Sequence, residues 1–150
     1  MIDDLPEQRI HFTIPGDPTG KGRPKFDTRG PYVRAVTPQK TENYESLIKL
    51  CYQSQCGSFS YDKNAALGIR ITAYKSIPKG TSGRKTESML AGLIRPTKKP
   101  DWDNIGKIIC DALNKIAYYD DAQIIEAAVH KKYSEQPRVE VELWRESLGG

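Results

Sequence analysis

The chain has 150 residues, the size of one ordinary domain, and this length excludes architectures that need about 250 residues, such as a complete TIM barrel. Hydrophobic residues make up 37% and charged residues 28%, proportions typical of a globular protein and not of a disordered or membrane protein. Residues 1–7 lack the basic and apolar regions of a secretory signal. We therefore expect one domain over residues 1–150, a disordered tail at 1–7, a cytoplasmic location and no membrane partner.

The net charge of +4 is the sum of segments with opposite signs. Residues 8–40 hold seven Lys or Arg against two Asp, and residues 75–99 hold seven against one Glu. Residues 100–126 reverse the sign, with six Asp or Glu against two Lys. This uneven distribution indicates a basic surface beside an acidic cluster.

The three cysteines, Cys51, Cys56 and Cys110, form no C-x-x-C pair, and only His11 and His130 could complete a zinc site. Neither a disulfide framework nor a zinc site is expected. We predict three reduced thiols that pack in the protein.

The first half of the chain contains three predicted strands, one helix and a loop. Alternating apolar residues or β-branched and aromatic residues predict strands over residues 8–14, 32–36 and 66–74. Apolar residues at three- and four-residue steps predict a helix over residues 39–55. The segment 16–25 is rich in glycine, proline and basic residues, which predicts a loop without regular structure.

The second half of the chain contains two predicted helices and two strands. A weak pattern predicts a basic helix over residues 79–93, and a strong one predicts a helix from about 103 to 116. Residues 123–129 and 138–144 are predicted to be strands that form a hairpin. The element order predicts a mixed α/β or α+β fold, with one sheet covered by helices.

The basic loop supports more than one interpretation. Gly20-Lys21 resembles the end of a phosphate-binding loop, but the spacing from Gly16 is one residue short. Gly22 stands where Ser or Thr should hold magnesium, so no nucleotide cofactor is expected. The remaining alternatives are a solvated basic loop and a loop that contacts nucleic-acid phosphates.

Two aspartates mark the start of the strongest helix. Asp101 and Asp103 begin like a calcium loop, but Ile105 and Ala112 occupy positions that require oxygen ligands. One of the aspartates could cap the helix, since an N-terminal carboxylate accepts bonds from free backbone amides. Two carboxylates two residues apart also suit a hard divalent cation.

Asp120 and Asp121 are either ordinary turn residues or further metal ligands. With Asp101 and Asp103 they supply carboxylates for metal-assisted phosphodiester hydrolysis, in which Mg²⁺ orients a water and stabilises the charged phosphate. Lys107, four residues after Asp103, could pair with a carboxylate or stabilise the scissile phosphate.

Asp111 lies a further four residues along the same predicted helix. Residues three or four apart are neighbours on a helix surface, so Asp111 is predicted to form a surface ion pair with Lys107 or Lys115.

Several motifs resemble those of a known family in their order and spacing. The firmest stretch, within residues 94–124, comprises Lys99-Pro100-Asp101-Trp102-Asp103-Asn104-Ile105-x-Lys107, Asp111-Ala112-Leu113-Asn114 and Tyr118-Tyr119-Asp120-Asp121-Ala122-Gln123-Ile124. The N-terminal motifs are Phe12-Thr13-Ile14-Pro15-Gly16, Gly20-Lys21-Gly22-Arg23-Pro24-Lys25, Thr37-Pro38 and Glu45. Together they resemble the RusA family of Holliday junction resolvases. The basic insert before Ile94 is similar to the longer branch of Gram-positive bacteria and their phages.

The resemblance implies a small homodimer with a RusA-like α+β fold, present in the cytoplasm of a bacterial or phage-infected cell. It implies an endonuclease that uses Mg²⁺, with Mn²⁺ as a substitute, to make paired symmetric nicks in four-way DNA junctions during recombination and repair. The essential aspartates of the family fall on Asp101, Asp103 and Asp121, and its important lysine falls on Lys107. Asp120 matches a usually acidic position of less weight, while Gly106 departs from the pattern and weakens the helix by up to about 1 kcal/mol.

The ends of the predicted helix are roughly 20 Å apart, too far for one metal cluster. Either the chain folds Asp121 back toward the helix start, or Asp121 joins Asp101 and Asp103 from a partner subunit, as twofold symmetry allows.

Basic residues of the loop and of the segment before the acidic cluster are predicted to bind DNA phosphates. They are Lys21, Arg23, Lys25, Arg29, Arg34, Lys98 and Lys99. Two other functions stay open: a nuclease for flaps or other branched DNA, and a non-catalytic DNA-binding protein whose aspartates only cap and pair.

Overall fold

A computed structural model describes residues 8–147 of the chain; the predicted tail at residues 1–7 lies outside the described residues. Besides a short 3-10 helix at Asp121–Gln123, the described part consists of six strands and three α-helices. They are β1 (Ile10–Pro15), β2 (Lys25–Asp27), β3 (Arg34–Val36), α1 (Gln39–Cys56), β4 (Leu67–Ser76), α2 (Gly83–Leu90), α3 (Trp102–Leu113), β5 (Ile124–Ser134) and β6 (Arg138–Arg145).

Four strands form the main sheet, in the order β1-β6-β4-β5. Strand β6 pairs antiparallel with both β1 and β4, whereas β5 pairs parallel with β4. Register places Ile71 of β4 between Val141 of β6 and Val129 of β5. The prediction of a mixed sheet covered by helices is confirmed. The predicted hairpin of β5 and β6 is wrong, because β4 lies between these two strands.

One face of the sheet forms the hydrophobic core with α1 and α3. Alternate residues of the central strands, such as Ile69, Ile71 and Val141, are at most 1% exposed. Helix α3 contributes Ile105, Ile108, Ile109, Ala112 and Leu113, all buried. Burial of these apolar side chains is the main driving force for folding. The apolar face of α3 packs in the core, so the charged residues of α3 lie on its opposite face.

Several predicted boundaries differ from the structure. Within the predicted basic loop, Lys25 already begins β2, which pairs with β3 as a separate two-stranded sheet. Helix α2 is shorter than predicted because Ser82 caps its start, accepting a hydrogen bond from the Lys85 amide, and Gly92 adopts a φ of +81° after its end. Helix α3 ends at Leu113, three residues early, because Asn114 takes an extended conformation.

The other face of the sheet is polar. Ion pairs join Arg9 and Arg70 to Glu142, and Arg138 to Glu140, so positive and negative charges alternate there.

The three cysteines are free thiols, and burial raises the pKa of Cys110 to about 11. Between residues 8 and 147, no helix combines the length and apolar character needed to cross a membrane.

Candidate active site and nucleic-acid interface

Asp101 and Asp103 lie at the start of α3. Asp101 occupies the N-cap position, but its side chain makes no capping hydrogen bond, and the Asp103 carboxylate is in the first turn. The capping interpretation is therefore wrong for Asp101. Lys107 Nζ lies 3.8 Å from Asp103 Oδ2, so the predicted pairing on one helix face is present. The site thus starts with two accessible carboxylates and one adjacent ammonium group.

Asp120 and Asp121 lie in a short turn after α3 that Gln123 holds in place. Gln123 Oε1 accepts hydrogen bonds from the amides of Tyr119 and Asp120, at 2.9 and 3.1 Å. The Asp121 amide donates to Asn114 Oδ1 at 2.9 Å, which ties the turn to the end of α3. Burial, and then the negative charges of Asp120 and Asp111, raise the pKa of Asp121. This carboxyl group is therefore set in a locally acidic environment.

The two acidic pairs lie at opposite ends of α3. Asp103 is in the first turn, while Asp121 is bound to Asn114 just after the last turn, about 16 Å farther along at about 1.5 Å per residue. No group of three or more His, Cys, Asp or Glu side chains within residues 8–147 is placed to hold a metal ion. One chain therefore does not fold Asp121 back to the helix start.

Lys21 lies between two carboxylates beside α3. Its Nζ is 2.9 Å from Glu45 Oε2 and 3.2 Å from Asp111 Oδ2, and its amide donates to the Asn104 carbonyl. Burial lowers the pKa of Lys21, but the two carboxylates outweigh it and the net pKa is raised. Asp111 thus pairs with Lys21 and not with Lys107 or Lys115 as predicted, because the loop crosses the helix surface at this point.

The loop at residues 16–22 is fixed to the body of the protein at three further positions. The Gly16 amide donates to the Pro137 carbonyl, and both Asp17 carboxylate oxygens accept from Ser76, at 2.7 and 2.9 Å. The Gly22 amide donates to Thr41 Oγ1 at 3.0 Å. Because its two ends are tied to different parts of the protein, the loop forms one wall of the site in a defined position.

This loop borders an open cleft of about 930 Å³. Basic residues from separate parts of the chain converge on it, and Asp101 lines its edge. They are Lys21, Arg23, Lys40, Lys75 and Lys99. The five basic residues outnumber the two aspartates of the lining, Asp17 and Asp101, so the cleft suits a polyanion whose backbone passes over Asp101.

The other predicted DNA contacts are placed around this cleft or on the β2–β3 hairpin. Lys75 and Lys131 bind the backbone carbonyls of Lys99 and Lys98, which fixes the segment that precedes Asp101. Asp27 binds Arg29 and Arg34 on the hairpin. Hydrogen bonds from Arg29, and then from Arg34, lower the pKa of Asp27, so its charge persists and keeps both guanidinium groups in position.

Comparison with known proteins identifies the family. The family described as endodeoxyribonuclease RusA matches residues 15–144. The chain belongs to this family. It is also 36% identical over 134 residues to the uncharacterized protein YqaN of Bacillus subtilis (strain 168), an alignment that covers 88% of the chain and 93% of YqaN. The matched segment contains the carboxylates, the cleft and the hairpin described above.

Several residues of this RusA family site carried no functional prediction. Glu45 and Asp111 bind Lys21, Thr41 fixes Gly22, and Gln123 supports the Asp121 turn. Glu45, Asp111 and Gln123 stand in the sequence motifs that resemble the RusA family, but the sequence assigns them no role in the site. Their partners lie far apart in sequence, up to 90 residues for Lys21 and Asp111, so no local spacing signals these contacts.

Gly22→Ala tests whether the loop must pack as closely as the structure shows. A Cβ at this position would lie 2.8 Å from Thr41 Oγ1 and 3.1 Å from Pro38 Cγ, and Thr41 is buried. We expect the free energy of unfolding to fall by about 1–3 kcal/mol, measured by urea denaturation, with weaker DNA binding. Gly30→Ala is the matched control, because a Cβ there meets nothing within 4 Å. If both variants have equal effects, close packing at Gly22 does not fix the position of the loop.

Gly106→Ala tests the departure from the family pattern. A Cβ at position 106 would contact only Val129 Cγ2, at an ordinary 3.8 Å, so packing does not require glycine. We expect the free energy of unfolding to rise by about 0.5–1 kcal/mol in urea denaturation, because alanine loses less backbone entropy in a helix. A lower stability would show that the glycine is needed for packing after all.

Proposed function

We propose that this RusA family protein is a Mg²⁺-dependent endonuclease that resolves four-way DNA junctions by paired symmetric nicks. The observation that carries the proposal is the position of Asp101 at the edge of a cleft lined by five basic side chains. The side chain of Asp101 makes no capping hydrogen bond to α3, so its carboxylate is available to bind a cation. The cations would bind the DNA backbone, while the carboxylates would repel it unless a divalent cation were present. This combination favours a metal-dependent nuclease over a protein that only binds DNA.

The carboxylates fit a hard cation in donor type but not in number within one chain. Asp101 and Asp103 offer oxygen ligands at one end of α3, and Asp121 lies at the other end. In a twofold homodimer, Asp121 of the partner subunit would complete each site, with Asp120 of the partner subunit as an additional ligand. A bound Mg²⁺, or Mn²⁺ in its place, would supply an activated water and stabilise negative charge on the phosphate.

The residues of the chain itself would position the substrate. Arg23, Lys75 and Lys99 would hold phosphates over Asp101, and Lys107 would stabilise charge that develops on the scissile phosphate. Lys21 contributes mainly by fixing the loop, since Glu45 and Asp111 bind its ammonium group. Two equivalent sites related by a twofold axis would account for two symmetric nicks.

The direct test is a nicking assay on a set of labelled substrates. The protein is incubated with Mg²⁺ and a four-way junction, linear duplex, flap or single-stranded DNA. Symmetric nicks confined to the four-way junction are expected. Cleavage of flaps instead would favour a nuclease for other branched DNA, and no product from any substrate would favour a non-catalytic DNA-binding protein.

The salt dependence of binding tests which cations contact phosphates. Removal of one phosphate contact lowers the slope of log affinity against log salt by about 0.9. We expect this decrease for Arg23→Gln and for Lys99→Gln, both of which line the cleft, in anisotropy titrations with a four-way junction. Lys49→Gln, an exposed position on α1 outside the cleft, is the control. A slope that stays unchanged in the cleft variants would place the DNA elsewhere.

A further inference from the structure

The β2–β3 hairpin carries an unusual concentration of exposed apolar side chains. Phe26 is 71%, Tyr32 80% and Val33 67% exposed, and Val36 is also exposed. These are four of the ten large hydrophobic residues that are exposed in the described part of the chain, and all four lie within the 12 residues of 25–36. Apolar side chains so concentrated on a surface usually mark a binding site.

The two strands of the hairpin place neighbouring side-chain pairs on opposite faces. Phe26 is paired across the strands with Ala35, so these two side chains share a face. Asp27 and Arg34 form the neighbouring pair and face the opposite way, where Asp27 fixes the guanidinium group. The hairpin is a sheet separate from the main one. Val36, paired with Lys25, lies on the same face as Asp27 and Arg34, and Tyr32 belongs to the segment that connects the two strands. The structure thus presents two exposed aromatic side chains, Phe26 and Tyr32, on a hairpin that also carries cations.

The position of the hairpin connects it to the candidate active site. β2 begins two residues after Arg23, and Arg23 lines the same cleft as Asp101. A ligand that follows the basic cleft therefore reaches the hairpin. The cations select a polyanion, and exposed aromatic faces stack on nucleic-acid bases, so the two features together select DNA with accessible bases.

We propose that the exposed aromatic side chains of the hairpin, Phe26 and Tyr32, stack on bases that are unstacked at a DNA branch point. Bases within a linear duplex are covered by their neighbours, whereas a branch point exposes the faces of its terminal base pairs. Apolar side chains inserted between base steps stabilise such open structures. The hairpin would then favour branched over linear DNA, an inference that rests on the proposed function.

The test uses 2-aminopurine, a fluorescent base whose emission rises when it is unstacked, placed at the crossover of a four-way junction. Emission is recorded with Ca²⁺ in place of Mg²⁺, and nicking is measured separately with Mg²⁺. We expect the unaltered protein to raise the emission and the double variant Phe26→Ala/Tyr32→Ala to abolish this rise. Junction nicking should fall about tenfold to hundredfold in the double variant, while its affinity for linear duplex changes less than about twofold.

Leu50→Ala is the matched control, because Leu50 is 63% exposed on α1, outside the hairpin. It should keep both the emission rise and the nicking. The inference is overturned if the double variant still raises the emission, or if Leu50→Ala loses the rise equally. It is also overturned if light scattering shows that the double variant dissociates into single chains, since a second copy would then cover the hairpin.

The experiment distinguishes a failure of this inference from a failure of the proposed function. If the unaltered protein nicks the four-way junction without any change in emission, only the role of the hairpin is wrong. If it neither binds nor nicks the junction, both proposals are wrong. Circular dichroism of the double variant establishes that it is folded, and its duplex affinity establishes that the basic cleft is intact.

Discussion

Replacing Asp103 by asparagine is expected to cause a large loss of junction nicking while junction binding is kept. The carboxylate lies in the first turn of α3, accessible and next to Lys107, and is not needed to cap the helix. Asparagine keeps the shape but removes the negative charge that a hard divalent cation requires. Nicking should decrease by on the order of a hundredfold to a thousandfold, the size of effect seen when a key electrostatic group is removed from an active site.

Binding and cleavage must be measured on the same preparation of this variant. Because the variant removes one negative charge beside a basic cleft, its junction affinity should be equal or higher, particularly without divalent cation. Glu135→Gln is the control, since it removes a carboxylate from an exposed turn outside the site and should leave nicking unchanged. If Asp103→Asn loses binding as well as nicking in a folded protein, the aspartate is structural.

The sequence predicts a helix well where the buried apolar residues repeat at the helical period within one short segment, as in α1 and α3. Ile105, Ile108 and Ile109 recur at the helical period because α3 buries one face against the sheet. Strand pairing is different, because it depends on contacts that are distant in sequence. β5 and β6 are joined by a short turn that suits a hairpin, yet β4 inserts between them and pairs with both over most of its length.

The candidate site likewise contains some contacts that the sequence predicts and others that depend on the fold. Asp101, Asp103 and Lys107 are neighbours on one helix, so spacing alone predicts their proximity. Lys21 could not be interpreted from spacing, since its partners Glu45 and Asp111 come from α1 and α3. A basic residue in a glycine-rich loop looks like a phosphate contact until the fold shows that two carboxylates already bind it. The separation of Asp121 from the helix start was predictable, because helix length follows from the number of residues.

That separation leads to the sharpest prediction for the dimeric site. In a site shared between subunits, a heterodimer of Asp103→Asn and Asp121→Asn chains contains one site with both substitutions and one site with neither. The intact site should nick one strand, so the product is a singly nicked junction and not a resolved one. If the two variants are mixed in equal amounts and exchange freely, about half of the dimers are heterodimers with one active site of two. The total nicking rate should reach about a quarter of that of the unaltered protein.

Each variant alone supplies the baseline, because every homodimer has both sites defective and should be inactive. Mixing Asp103→Asn with Asp101→Asn is the matched control: both substitutions lie at the same end of α3, so no heterodimer site is intact and no activity should return. Sites built within one chain predict no recovery from either mixture, because every chain then carries a defective site. Recovery in the first mixture alone would require Asp121 to act across the subunit boundary, as its position at the far end of α3 implies.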